Sequence, residues 1–120
     1  MFNIKEFTDA GYRVFESVNK NTGEVYGWYH ILTPKGNILY AQYDQFEGWI
    51  IALEYRPSRE NGSGCRDNTE KAPYDLTVEY AARMEISNLM FSRKMKGIKF
   101  YSTFEEFSNE NWCIQREVTA

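Results

Sequence analysis

The sequence predicts an α+β fold, a four- to five-stranded antiparallel sheet (a meander) packed on one long helix, with short helices near both termini. Three observations carry that expectation. Hydrophobicity alternates with period two over about residues 12–56, a single helix-period segment follows a polar stretch, and a cap-helix-turn-strand unit stands at each end of the chain. The 120 residues suffice for one compact core and not two, so 1–120 is read as a single domain.

Asn3 followed by Glu6 forms a capping box, and Phe2 and Phe7 are spaced as a hydrophobic staple. They predict a helix over about 4–10, with Gly11 free to take the left-handed position at its end. Four β-rich runs follow at about 12–18, 25–33, 37–43 and 49–56. The segments 19–23, 34–37 and 44–48 between them carry turn chemistry, clearest in Pro34-Lys35-Gly36-Asn37. In the fourth run Trp49, Ile51, Leu53 and Tyr55 alternate with Ile50, Ala52 and Glu54, which marks one buried face. In the second, Val25, Tyr29 and Ile31 point one way while Tyr26, Trp28, His30 and Leu32 point the other. That pattern fits a central strand covered on both faces or a sheet that displays aromatics.

Residues 57–72 lack an apolar pattern and are expected to form a long loop. A helix over about 76–96 follows, with Asp75 as its cap and Gly97 beyond its end. Val78, Ala82, Ile86, Leu89 and Met90 form one stripe on it, and Tyr80, Met84, Phe91 and Met95 a second. One stripe packs the sheet; the other is covered by Phe104, Phe107 or Trp112, or by a partner. A short strand at about 98–101, a helix at about 104–109 behind a Thr103/Glu106 capping box, and a strand at about 112–118 complete the chain. This last unit aligns with the first through Asn3 and Thr103, Glu6-Phe7 and Glu106-Phe107, and Val18 and Val118. Either one physical grammar is used twice, or a pseudo-symmetric pair of αβ units flanks the meander.

With 14 Lys+Arg against 17 Asp+Glu, the net charge of -3 suits neither a polyanion-coating basic protein nor a strongly acidic mimic of nucleic acid. No apolar run approaches the length of a membrane span and the N-terminus lacks the form of a signal peptide, so a cytoplasmic location is expected. Cys65 and Cys113 are too few for a disulfide scaffold, which fits a reduced compartment. His30 is the single histidine, and no HExxH, GxxxxGK[ST], GxSxG or metal-spaced Cys/His cluster occurs. The expectation is therefore a protein that is not an enzyme and carries no metal or cofactor. One nucleophilic arrangement stays open, a His30–Cys65 dyad with the Gly62 and Gly64 amides as oxyanion donors, against the ordinary reading of a packed histidine and an incidental loop cysteine.

Eight Phe, 9 Tyr and 3 Trp supply a large core and leave rings for a partner. Arg56, Arg59 and Arg66 surround Gly62-Ser63-Gly64, where forked guanidinium bonds and backbone amides suit a phosphate, a nucleotide or an acidic protein patch; a solvated connection explains the same residues. The Arg56-Pro57-Ser58-Arg59 step and Gly62-Ser63-Gly64, after Phe46-Glu47-Gly48-Trp49, resemble a pattern in small uncharacterised proteins encoded by phages and plasmids. The resemblance spans about residues 40–66 and carries over no catalytic residue. It implies a neighbourhood in which small single-domain proteins often inhibit host defence systems or regulate mobile elements, with action in the host cytoplasm.

The leading expectation is accordingly a binding protein that works by protein–protein contact, as an inhibitor of a host nucleic-acid-targeting defence system. Arg56, Arg59, Arg66, Tyr80, Met84, Phe91 and Met95 would be its partner-binding residues, since methionine and broad aromatics make adaptable contacts; a homodimer is compatible. The alternative is a nucleic-acid- or nucleotide-binding module that uses Arg56, Arg59 and Arg66 with the run Arg93, Lys94, Lys96 and Lys99. That run also complements the dipole at a helix C-terminus.

Overall fold

A computed structural model describes residues 2–46, 48–54, 70–72, 75–92 and 100–119. In chain order it holds α1 (Ile4–Asp9), β1 (Arg13–Val18), β2 (Val25–Leu32), β3 (Ile38–Asp44), β4 (Gly48–Leu53), β5 (Glu70–Ala72), α2 (Val78–Ser92), α3 (Phe104–Glu110) and β6 (Ile114–Val118). The strands form one antiparallel sheet in the order β5-β4-β3-β2-β1-β6. The α+β meander expected from the sequence is thus the architecture found, and no described helix is long and apolar enough to cross a membrane.

Local chemistry explains most of the elements. Asn3 Oδ1 accepts from the Glu6 N–H at 3.4 Å, the Phe2 and Phe7 rings meet edge-on at 5.0 Å, and Gly11 takes φ 89 where α1 turns into β1. The Glu6 carboxylate, expected to close its own capping box, instead accepts from the Val78 N–H at 3.1 Å and ties α1 to the first turn of α2. Thr103 Oγ1 accepts from the Glu106 N–H at 3.1 Å, and Glu106 reaches back to the Ser102 N–H. The β2–β3 turn closes with Gly36 N–H to Thr33 C=O at 2.9 Å.

Because neighbours on a strand point to opposite faces, the sheet carries two cores. One face collects Val14, Ile31, Leu39, Trp49, Ile51 and Leu53 beneath α1 and α2, with Phe7, Leu76, Ala81 and Met84 packed on them. The other collects Phe15 and Ile38 with Phe104 and Phe107 of α3, where Phe15 and Phe104 stack at 3.9 Å. β1 and β6 pair as Val14 with Val118, Glu16 with Arg116 and Val18 with Ile114, the register that a local two-fold between the terminal units requires. The helices break that symmetry: Phe7 packs on the face of Val14, and Phe107 on the opposite face with Phe15.

Four expectations are corrected. The loop expected over 57–72 ends in a strand, because Glu70–Ala72 adds backbone hydrogen bonds to the outer edge of β4; its remaining residues to 69 lie outside the described ones. Phe100 and Tyr101 are not in a strand; the Tyr101 ring lies edge-on to Phe107 at 5.2 Å instead. The cap of α2 is Thr77 rather than Asp75, since its hydroxyl accepts from the Tyr80 N–H at 3.1 Å. Neither apolar stripe of α2 is its buried face. Ala81, Met84, Glu85, Asn88 and Ser92 are buried, while Ile86, Met90 and Phe91 are exposed. The polar members of that face have partners that fix the rotation of the helix: Glu85 accepts from Thr33 and Asn37, and Asn88 Oδ1 accepts from the Leu53 N–H at 3.3 Å.

Candidate functional site

The period-two geometry of β2 sets Tyr26, Trp28 and His30 on the face opposite α1 and α2. β3 places Tyr40 beside His30 and Gln42 beside Trp28. Glu54, immediately after β4, is held there by its N–H on the Ile38 carbonyl at 2.8 Å. The connection from α3 into β6 closes the other side with Glu110, Asn111, Trp112 and Cys113. With Trp28, His30, Tyr40, Glu54, Tyr101 and Phe107 they line a cleft of about 370 Å³; Tyr26 and Gln42 stand beside it.

A continuous polar network forms its inner side. His30, 3% exposed, brings Nδ1 to 3.0 Å from Gln115 Oε1 and Nε2 to 3.4 Å from Glu54 Oε1. The Gln115 amide donates to Ser17 Oγ at 3.0 Å and approaches Cys113 Sγ at 3.4 Å, and the Cys113 N–H and S–H both point to Asn111 Oδ1. β1, β2 and β6, and the residue that follows β4, are thereby joined through side chains. Among the described residues no group of three or more His, Cys, Asp or Glu is placed to hold a metal ion.

At the mouth of the cleft stands an aromatic cluster. Tyr26 and Trp28 stack at 4.7 Å and 12°, and Trp112 leans on both at 5.2 and 6.2 Å while remaining 66% exposed. A second, shallower depression on the helix-covered face is formed, among the described residues, by Gly27, Tyr29, Tyr43 and Trp49.

Of the partner-binding residues expected from the sequence, the described ones, Tyr80, Met84 and Phe91, do not line this cleft. Met84, expected on a partner surface, is 3% exposed in the core under α2, because the polar contacts of Glu85 and Asn88 rotate it inward. Tyr80 is partly buried against the same core, and Phe91 is exposed on the far side of the sheet from the cleft. Arg56, Arg59, Cys65, Arg66, Arg93, Lys94, Met95, Lys96 and Lys99 lie outside the described residues. The aromatic side of β2 was visible as alternation, whereas Glu54, Cys113 and Gln115 came from distant segments with no local signal. In comparisons with known proteins the chain matches no family model, no curated protein and no solved structure.

Proposed function

We propose that this chain is a non-enzymatic binding protein that engages another protein through the Tyr26–Trp28–Trp112 cluster and the cleft it borders. The observation that carries the reading is Trp112, a large ring that leans on Tyr26 and Trp28 yet is two-thirds exposed. Tryptophan and tyrosine offer wide contact area at little entropic cost and dominate protein interfaces. The same rings can stack on nucleic-acid bases, the alternative that the salt dependence of capture separates. The loop resemblance makes components of host nucleic-acid-targeting defence the first partners to test.

The test is capture of protein from a host lysate by the immobilised chain and by Trp112→Ala. Loss of an interface tryptophan costs about 2 kcal/mol or more, roughly a 30-fold weakening. The same bound protein should therefore be lost from the variant while its circular dichroism is unchanged. Equal capture by parent and variant, or capture of nucleic acid alone that fades with salt, would move the function elsewhere.

A further inference from the structure

β6 ends the strand order, and the alternation of an antiparallel sheet tells which of its backbone groups look outward. The Thr33 N–H bonds to the Asn37 carbonyl at 2.8 Å, so the backbones of Thr33 and Ile31 turn to β3 and those of Leu32 and His30 to β1. Their partners Arg13 and Phe15 then face β2, which turns Val14 and Glu16 to Val118 and Arg116 of β6. The N–H and C=O groups of Gln115 and Glu117 are left pointing away from the sheet, and among the described residues no strand lies beyond them. Sheet edges are usually guarded by proline, a bulge, lysine or an outward charge. β6 has none of these. Its register with β1 is unbroken, and its two charges are drawn onto β1, Arg116 Nε donating to Glu16 at 2.8 Å and Arg13 Nε to Glu117 at 2.9 Å. Ile114 is exposed at its start, as is Trp112 just before it.

We infer that the partner protein adds an extended segment to β6 as a further strand of the sheet, a claim that rests on the protein-contact reading above and continues its Trp112 surface along the edge. Unpaired N–H and C=O groups at strand spacing are best met by another strand; main-chain bonds then give affinity and alternate side chains give selectivity. Paired residues share a face, so Ile114, Arg116 and Val118 lie with Val18, Glu16 and Val14, and Gln115 and Glu117 with Ser17 and Phe15. The segment that fits alternates, with apolar side chains beside Ile114 and Val118 and polar ones beside Gln115 and Glu117. A second copy of this chain fits less well. The two-fold register that uses all five residues of β6 is centred on Arg116 and sets that residue against itself.

The probe is an acetylated Lys-Thr-Val-Thr-Val-Thr-Lys amide, added to the isotope-labelled full chain and followed by amide hydrogen exchange in NMR spectra. The same peptide N-methylated at every residue, which cannot form a ladder, serves as comparison. In the free chain the Gln115 and Glu117 amides should exchange at least about tenfold faster than that of Arg116, and millimolar peptide should slow them at least about threefold while the methylated form does not. Glu117→Pro deletes one outward N–H and leaves the bonds to β1, whereas Glu117→Ala deletes only the side chain. Peptide binding should fall about fivefold or more from the alanine to the proline variant. If the proline variant does not fold, exchange in the parent chain still decides. Gln115 and Glu117 amides already protected in the free chain, no slowing by the peptide, equal slowing by its methylated form, or equal binding by the two variants would overturn the inference. Protection that grows with chain concentration would give the edge to a second copy and overturn it as well. If partner capture depends on Trp112 but is the same for Glu117→Pro and Glu117→Ala, the protein contact stands and strand addition falls; if capture ignores Trp112, the underlying reading falls.

Discussion

Glu85 is a buried carboxylate on the sheet-facing side of α2, and it organises the turn between β2 and β3. It accepts from the Thr33 hydroxyl and from Asn37 Nδ2 at 2.7 Å, while Thr33 Oγ1 also accepts from the Asn37 N–H at 3.1 Å. Its charge acts on Tyr12 as well, whose phenol is raised above its ordinary 10.0 first by burial and then by Glu85. The sign of the consequence follows from proton counting. As pH rises past about 10 the unfolded chain releases the phenol proton before the folded one does, so the stability carried by this group is complete below that point and lost as pH rises through the folded value. Glu85→Gln replaces charge-assisted hydrogen bonds by neutral ones and sets an amide against Asn37. We expect a loss of about 2 kcal/mol in urea unfolding at neutral pH. Tyr12 should titrate lower than in the parent and still above its ordinary value, because burial remains. An unchanged Tyr12 titration, followed by phenolate absorbance, would contradict the assignment.

At the scale of the element, α2 separates hydrophobicity from burial. The helix points Ala81, Met84, Glu85, Asn88 and Ser92 at the sheet, and Ile86 and Met90 at solvent. Met84→Ala should therefore cost about 2–4 kcal/mol, as removal of buried methylenes leaves a cavity. Ile86→Ala and Met90→Ala should each change stability by less than about 1 kcal/mol in the same urea titration. The reverse ranking would restore the stripe read from helical periodicity. That stripe misleads for a physical reason: helix rotation is set by hydrogen bonds from Glu85 and Asn88 to Thr33, Asn37 and Leu53, partners 35 to 52 residues away in sequence. Elements decided by neighbours were legible, including the Asn3 and Thr103 caps, the Phe2–Phe7 staple and the left-handed Gly11. β5 was not, because Glu70–Ala72 is recruited by the free backbone edge of β4 rather than by any pattern of its own. The site divides along the same line. Alternation in β2 put Trp28 and His30 on one face, but Glu54 was visible only as a polar position in a strand and Cys113 only as a second thiol, since tertiary pairing alone brings them together.

For the whole molecule, the decisive feature is one sheet shared by two cores. Val14 belongs to the core under α1 and α2, and the adjacent Phe15 to the core under α3; Leu39 and Ile38 divide in the same way. Neither layer can release its side of β1 or β3 without exposing the apolar groups of the other. The His30–Gln115–Ser17 network and the Arg13–Glu117 and Arg116–Glu16 pairs hold β6 to this shared sheet, so the C-terminal unit is joined to it as well. A chain of this size with such coupling should unfold in one cooperative step. Two single-tryptophan chains test it, one keeping Trp49 on the α2-covered face and one keeping Trp28 on the cleft face, the remaining tryptophans being replaced by phenylalanine. In each, the urea midpoint by fluorescence should coincide with that by far-ultraviolet circular dichroism. A Trp28 signal that shifts well before the circular dichroism would mean that the cleft face opens by itself. The exposed cluster would then be the surface of a loosely attached layer, and the cleft a product of partner binding rather than a site formed beforehand.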